Sequence, residues 1–179
     1  MRKKTHGTLI AVIIAFALVF GLAGCLGGCA KSTVWEYAMF HTGEGITILS
    51  LKDNSILTEE NVLTLPIEVD GKKVMDFGRA RIWQYPQYFN PGTQVEKIIV
   101  PDGVPIGEYF WGENIPLVVE FLSEYPTNIR IHVKQGDVFR TLIVPDGTRE
   151  AYRSCVRGIG YYVSIVEKSD FLSQNNNEK

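Results

Sequence analysis

The chain has few cysteines and lacks the sequence motifs of common catalytic sites. Only three cysteines occur among 179 residues, which excludes the disulfide framework that holds many small exported domains together. No glycine-rich phosphate loop, nucleophile elbow or His-Glu-x-x-His segment is present. His41 and His132 are far apart in sequence, and neither has a second ligand at a metal-binding spacing. We therefore expect no enzymatic activity, no catalytic residues, no cofactor and no metal.

Two aspartates form the one carboxylate pair that a catalytic interpretation can use. Asp102 and Asp146 occupy equivalent positions in two Val-Pro-Asp-Gly segments. Strand spacing would separate their carboxyl groups by roughly 10 Å, which is near the separation of the two catalytic carboxyl groups in inverting glycosidases. Asp before Gly is also what a tight turn requires. We therefore interpret both residues as turn residues.

Clustered basic residues are missing from most of the chain. It has 18 basic and 20 acidic residues, and three of the basic but none of the acidic residues precede Cys25. Residues 25–179 therefore have a net charge of −5. Nucleic acids and anionic lipid surfaces select clustered Lys and Arg. We expect no nucleic-acid partner.

The N-terminus combines basic residues with a long apolar run. Arg2, Lys3 and Lys4 precede an apolar segment over 9–22, which leads into Leu22, Ala23, Gly24 and Cys25. The pattern resembles a bacterial lipoprotein signal, in which the cysteine is lipidated and becomes the first mature residue. The resemblance implies a cleaved signal peptide over 1–24, a lipidated spacer over 25–33, and attachment to the exported side of a bacterial membrane. A retained transmembrane anchor and an ordinary signal peptide are the alternatives.

The two other cysteines have simpler interpretations. Cys29 ends a poorer copy of the same run, so it is the alternative lipidation site. Cys155 lies on the apolar face of a predicted helix, where a cysteine is normally a small buried hydrophobe rather than a nucleophile. A disulfide between Cys29 and Cys155 is a further alternative in an exported protein.

Short strands and turns dominate the rest of the chain. Alternating and β-branched segments predict strands over 35–40, 45–51, 62–69, 73–77, 95–100, 117–122, 129–133, 141–144 and 161–166. The first two flank a glycine-bearing loop and predict a hairpin. One helix is predicted over 149–157, with Thr148 as N-cap and with Ala151, Tyr152, Cys155 and Val156 on one face. The polar tail over 169–179 is expected to be disordered.

An internal repeat is visible in the second half of the chain. The segment 100–103 recurs as 144–147, an offset of 44 residues or two periods of 22, and the apolar segment 118–122 lies midway. This period is the length of one leucine-rich-repeat coil, in which each coil contributes one strand to a parallel sheet. The spacing predicts that Ile99, Val119 or Phe121, and Ile143 lie on neighbouring strands. Pro101 and Pro145 would then lie at corresponding strand ends.

The order of short segments around this repeat resembles a known family. Segments 95–101, 104–107, 109–112 and 118–121 follow the order of BspA-type leucine-rich repeats, while 65–78 and 142–152 are similar to a first and a closing repeat. The resemblance implies a strand-dominated α/β leucine-rich-repeat domain over 34–168. It would be a short, irregular solenoid of about three coils, with an N-terminal hairpin and a C-terminal helix-strand cap.

The same resemblance implies a function at the cell surface or in the envelope. The expected role is a lipid-anchored module that binds an extracellular protein or a glycan, and its membrane contact would be the N-terminal lipid. The alternative is a structural or accessory envelope lipoprotein without a ligand of its own.

Aromatic residues crowd into one insertion over 81–92. Its side chains could stack on a sugar ring or anchor a partner protein, and the candidate partner-binding residues are Trp83, Tyr85, Tyr88 and Phe89. The alternative is that Trp83 and Phe89 fill the interior of the domain.

Overall fold

The structure is a computed structural model that describes residues 32–79, 85–133, 140–158 and 163–176. The described residues belong to one compact unit, Ser32–Lys179. The lipoprotein-like run that ends at Cys25 lies outside the described residues, as do Cys29 and Trp83.

A four-stranded mixed sheet forms the front of the unit. Its strands are β1 (Trp35–Met39), β2 (Ile46–Leu51), β4 (Glu68–Val69) and β5 (Lys72–Phe77), in the order β1-β2-β5-β4. The β1–β2 pair is antiparallel, which confirms the predicted hairpin, whereas β2 pairs with β5 in parallel. Gly45 precedes β2 with a φ of 79°, and a Cβ there would lie 2.4 Å from the Lys73 carbonyl oxygen. Only glycine fits this turn.

A five-stranded parallel sheet forms the largest layer. It consists of β3 (Val62–Thr64), β6 (Lys97–Val100), β7 (Val118–Phe121), β9 (Arg140–Val144) and β11 (Val163–Glu167), in the order β11-β9-β7-β6-β3. Ile98 pairs with Val119, and Val119 pairs with Leu142. All three side chains are buried, because side chains at matched register positions lie on the same face of a sheet.

Shorter elements connect and flank these sheets. They are β8 (Ile131–Val133) and β10 (Val156–Gly158), which pair in parallel, the helices α1 (Arg149–Cys155) and α2 (Lys168–Asn176), and 3-10 turns at Asn54–Ile56 and Glu108–Phe110. Helix α1 ends two residues earlier than predicted because the chain becomes extended at Val156. Ala151, predicted for the buried face of this helix, is exposed.

The predicted neighbours in the parallel sheet are confirmed, but the predicted fold class is wrong. Strands β6, β7 and β9 are adjacent, and Pro101 and Pro145 directly follow β6 and β9. A leucine-rich-repeat solenoid requires whole coils to repeat, connections included. Here the connections differ: one contains a 3-10 turn, and the first strands form a separate mixed sheet. The described residues form a mixed α/β fold with several sheets and two helices, and no clear solenoid.

The polar C-terminal segment differs from the expected disorder, because residues Lys168–Asn176 form helix α2. The start of α2 is fixed by three contacts. The Ser169 amide donates to the Asp146 carboxylate (3.0 Å), Arg149 pairs with Asp170 (2.5 Å), and Lys168 pairs with Glu120 (2.8 Å). These long-range polar contacts substitute for the apolar face that the segment lacks. Propensity and composition did not reveal them.

The hydrophobic core joins the two larger sheets. Phe77 of β5 contacts Phe89 and Phe110, with ring centroids 5.1 and 5.9 Å apart. At the other end, Tyr152 of α1 packs against Phe121 of β7 at 5.1 Å. The core thus extends from the front sheet to helix α1.

Candidate functional site

The four predicted partner-binding residues have different environments. Tyr85 is 94% exposed. Tyr88 is half-buried, and Trp83 lies outside the described residues. Phe89 is only 1% exposed, so its assignment to a binding surface is wrong, and the alternative that it fills the interior is confirmed.

Phe89 is buried because its backbone bridges two elements of the core. Its backbone amide donates to the Tyr109 carbonyl at 2.8 Å, and the backbone amide of Asn90 donates to the Leu49 carbonyl at 2.9 Å. The Phe89 ring stacks on Phe110 with centroids 5.5 Å apart. An aromatic residue held this way cannot reach a partner.

An open groove of about 460 Å³ lies where the front sheet meets the 3-10 turn Glu108–Phe110. Its polar and aromatic lining includes His41, Asp76, Tyr109, Asn128 and Arg130. These residues come from the β1–β2 loop, β5, the 3-10 turn and the segment before β8. The tertiary fold therefore collects them from separate parts of the sequence.

Asp76 is the most constrained polar side chain of this groove. Burial raises the pKa of its carboxyl group, although backbone hydrogen bonds from Phe77 and Gly107 oppose the rise. The Phe77 amide donates to Oδ1 at 2.8 Å. A half-buried carboxylate with a perturbed pKa in a groove is typical of a functional site.

Gly107 allows this carboxylate to lie close to the backbone. A Cβ atom at position 107 would lie 2.6 Å from Oδ1 of Asp76 and 2.8 Å from Oδ2. Residue 107 has a φ of −91°, which any residue can adopt. The requirement for glycine is therefore the space that Asp76 occupies and not the backbone conformation.

Tyr109 connects this groove to a second one. Its phenol is hydrogen-bonded to Glu108, which raises the pKa of Tyr109. Its ring lies 6.1 Å from that of Tyr88. Tyr88 lines a groove of about 370 Å³ together with Asn90 and Asn114. The side-chain Nδ2 of Asn114 donates to Oδ1 of Asn90 at 3.1 Å. Two tyrosines thus join a carboxylate-bearing groove to an amide-bearing groove.

The aspartates of the two Val-Pro-Asp-Gly segments serve as turn and contact residues. Oδ1 of Asp102 accepts from the Gly103 amide at 2.9 Å, and Oδ1 of Asp146 accepts from Ser169 at 3.0 Å. Both side chains are exposed. This placement agrees with their interpretation as turn residues.

The remaining candidates of the sequence are scattered. His41 lines the Asp76 groove, whereas His132 and Cys155 line another groove together. Cys155 is a free cysteine and is half-buried. Across the described ranges, no group of three His, Cys, Asp or Glu residues is arranged to hold a metal ion. No helix in the described part of the chain is long and apolar enough to cross a membrane.

Asp76, Tyr109 and Arg130 do not stand out as functional residues in the amino-acid sequence. One signal was available for Asp76, because it is an acidic residue inside the strand Lys72–Phe77, between Met75 and Phe77. An acidic residue in a buried strand requires a specific partner or a function. No local signal connects it to Gly107, which is 31 residues away.

No protein family, no curated protein and no solved structure matches the chain.

Proposed function

We propose that this chain is an exported, lipid-anchored protein that binds a glycan in the groove around Asp76 and Tyr109. Its N-terminal run up to Cys25 supports the lipid anchor and the export. The observation that carries the binding role is the half-buried Asp76 carboxylate in the groove that Tyr109 also lines.

The groove has the chemistry that sugars require. Sugar hydroxyl groups donate to carboxylates such as that of Asp76 and accept from donors such as Arg130 and Asn128. The apolar faces of sugar rings stack on aromatic side chains, and Tyr88 and Tyr109 offer two adjacent rings.

Glycan binding can be tested with the full-length protein solubilised in a non-ionic detergent. Fluorescently labelled chito-, cello- and manno-oligosaccharides serve as neutral probes, and affinity is measured by fluorescence anisotropy. We expect at least one series to bind, and Asp76→Asn and Tyr109→Ala to weaken that binding about tenfold or more, the effect of losing one or two good contacts. Asp102→Asn and Tyr125→Ala are matched controls, because both residues are exposed and neither lines the groove.

Two results would contradict the proposal. One is the absence of saturable binding to all three series. The other is binding that Asp76→Asn and Tyr109→Ala leave unchanged while thermal melting shows that both variants are folded.

A protein partner is the second candidate, and the exposure of Tyr85 favours it. The Tyr85 ring is 94% exposed. It lies two residues before Gln87, whose backbone carbonyl accepts a hydrogen bond from the Arg79 backbone amide at 2.7 Å. Exposed aromatic side chains are available to a partner protein, and Tyr is enriched at interface hot spots. A pull-down from the envelope fraction of the source cells, comparing wild type with Tyr85→Ala, tests this candidate. Capture that is lost in Tyr85→Ala but retained in Tyr109→Ala would favour it over glycan binding.

A further inference from the structure

A neighbouring groove of about 580 Å³ lies between strands β8 and β10 and the segment that precedes β8. It shares Glu108, Thr127 and Arg130 with the Asp76 groove, whereas His132 and Arg157 line this groove and not the other. Three of its lining residues are basic or can become so: Arg130, His132 and Arg157. Among the described residues, Glu108 is the one carboxylate that lines it, and this side chain is hydrogen-bonded to the Tyr109 phenol. The lining is therefore rich in positive charge, in a chain with more acidic than basic residues.

The pairing of β8 with β10 places two of these residues side by side. Arg157 and His132 are Cα partners in the parallel pair, so their side chains leave the sheet on the same face. Cross-strand pairs that can carry the same charge are unfavourable without a counter-charge. Within the described ranges, the basic members of the ion pairs are Lys97, Arg149, Arg153 and Lys168. Arg130, His132 and Arg157 are not among them.

The backbone around Arg130 is fixed. Its amide donates to the Ile106 carbonyl at 2.7 Å, and its carbonyl accepts from Nε1 of Trp111 at 2.7 Å. Trp111 is itself buried. The backbone that carries the Arg130 side chain is thus held in place, so ligand binding needs to order only the side chain at this residue.

We infer that this groove binds an oxyanion, either a phosphate group or the carboxylate of an acidic sugar. Two guanidinium groups present the planar forks that pair with such groups in a bidentate manner. The Thr127 and Ser154 hydroxyls line the same groove and can complete the coordination. This site adjoins the proposed glycan groove and shares Arg130 with it, while Arg157 belongs to the anion site alone.

The inference can be tested by isothermal titration calorimetry of the detergent-solubilised full-length protein. Inorganic phosphate and galacturonate are the two probes, and galactose is the uncharged counterpart of galacturonate. We expect saturable binding of at least one of the two anions. The anion with the lower Kd shows whether the groove prefers a phosphate group or the carboxylate of an acidic sugar.

The variants separate a built site from general charge. Arg157→Gln and Arg130→Gln are each expected to weaken anion binding about tenfold, while Arg157→Lys retains part of it because the charge remains without the fork. Arg153→Gln is the matched control. Arg153 precedes Arg157 by four residues, is exposed and pairs with Glu150 outside the groove. The Arg153→Gln variant should bind the anions with the affinity of the wild-type protein.

Several outcomes would overturn the inference: no saturable binding of either anion, equal affinity for galactose and galacturonate without phosphate binding, or folded Arg157→Gln and Arg130→Gln variants that both bind like wild type. Arg157 lines only this groove and Asp76 lines only the other, so Arg157→Gln should weaken anion binding without changing neutral glycan binding. The two proposals can therefore fail independently.

Discussion

Lys168, the first residue of α2, forms an ion pair with Glu120 of β7, with 2.8 Å between Nζ and Oε1. Strand β9 lies between β7 and β11, the strand that leads into α2, so the ion pair reaches across β9. Lys97 of β6 contacts the other carboxylate oxygen at 2.5 Å. The Glu120 side chain is only 7% exposed, and its two partners connect the C-terminal helix to the centre of the sheet.

Glu120→Gln is expected to lower the free energy of unfolding by about 1–3 kcal/mol at neutral pH, because charge-assisted hydrogen bonds to a buried group are lost. Burial alone would raise the pKa of Glu120, but the hydrogen bonds from Lys168 and Lys97 bring it below its usual value. The stabilising contribution is therefore present above the unfolded pKa and disappears as pH falls through the lowered folded pKa. Urea unfolding at several pH values measures the difference.

The control for this prediction is Glu150→Gln. Glu150 pairs with Arg153 at 2.6 Å, but both side chains are more than 60% exposed. An exposed pair contributes little, so this variant should unfold like wild type. A Glu120→Gln variant that is as stable as Glu150→Gln at neutral pH would show that the buried pair does not stabilise the sheet.

Asp76 should have the opposite pH dependence. Its folded pKa is raised, chiefly by burial, so its favourable contribution is fully present below the unfolded pKa and is lost as pH rises through the folded pKa. The stability of wild type relative to Asp76→Asn should therefore decrease as the pH rises above the ordinary pKa of an aspartate, about 4, and through the raised folded pKa. Denaturant unfolding of both proteins across this range provides the measurement. A constant or increasing difference would contradict the placement of Asp76.

Tyr152→Phe should destabilise the domain by about 1–2 kcal/mol, because a buried carbonyl loses its hydrogen bond. The Tyr152 hydroxyl donates to the Ser123 carbonyl at 2.7 Å, and both residues are buried. Tyr152→Ala should cost more, about 3–5 kcal/mol, because it also leaves a cavity. Thermal melting tests both variants, with Tyr125→Phe as the exposed control. Equal melting temperatures of Tyr152→Phe and wild type would contradict a stabilising hydrogen bond from the Tyr152 hydroxyl to the Ser123 carbonyl.

A chain that ends at Glu167 should be less stable by about 2 kcal/mol or more, because it loses the partners of Glu120, Asp146 and Arg149. A chain that ends at Ser173 keeps those contacts and should be within about 0.5 kcal/mol of the full chain. Limited proteolysis and melting distinguish the two truncations. If the shorter chain were as resistant as the longer one, α2 would not stabilise the sheet.

The lipid anchor is tested by Cys25→Ser. The substitution should leave an uncleaved precursor that takes up no labelled fatty acid, because the thiol is the acceptor of the lipid. Cys155→Ser is the control and should be labelled as wild type. Persistent labelling of Cys25→Ser would move the site to Cys29 or contradict the anchor.

Much of the local structure follows from the order of the amino acids alone. Alternation of apolar residues predicted the β1–β2 hairpin, and the repeated Val-Pro-Asp-Gly segments predicted that β6, β7 and β9 are neighbours. These features depend on side-chain periodicity and turn chemistry within a few residues. The repeat does not extend to whole coils, because the segments that connect the strands differ from one another. The 22-residue spacing of the strands carries no information about those connections.

Which side chains line a groove depends on the long-range packing of the chain. Phe89 and Tyr88 are adjacent in an aromatic segment, yet the aromatic core buries Phe89 while Tyr88 lines a groove. Asp76 meets Gly107, and His132 meets Arg157, across more than twenty residues of sequence. Helix α2 likewise depends on contacts with Glu120, Asp146 and Arg149. Sequence patterns report which face of an element is apolar, whereas charge and space at a site depend on residues that only long-range packing brings together.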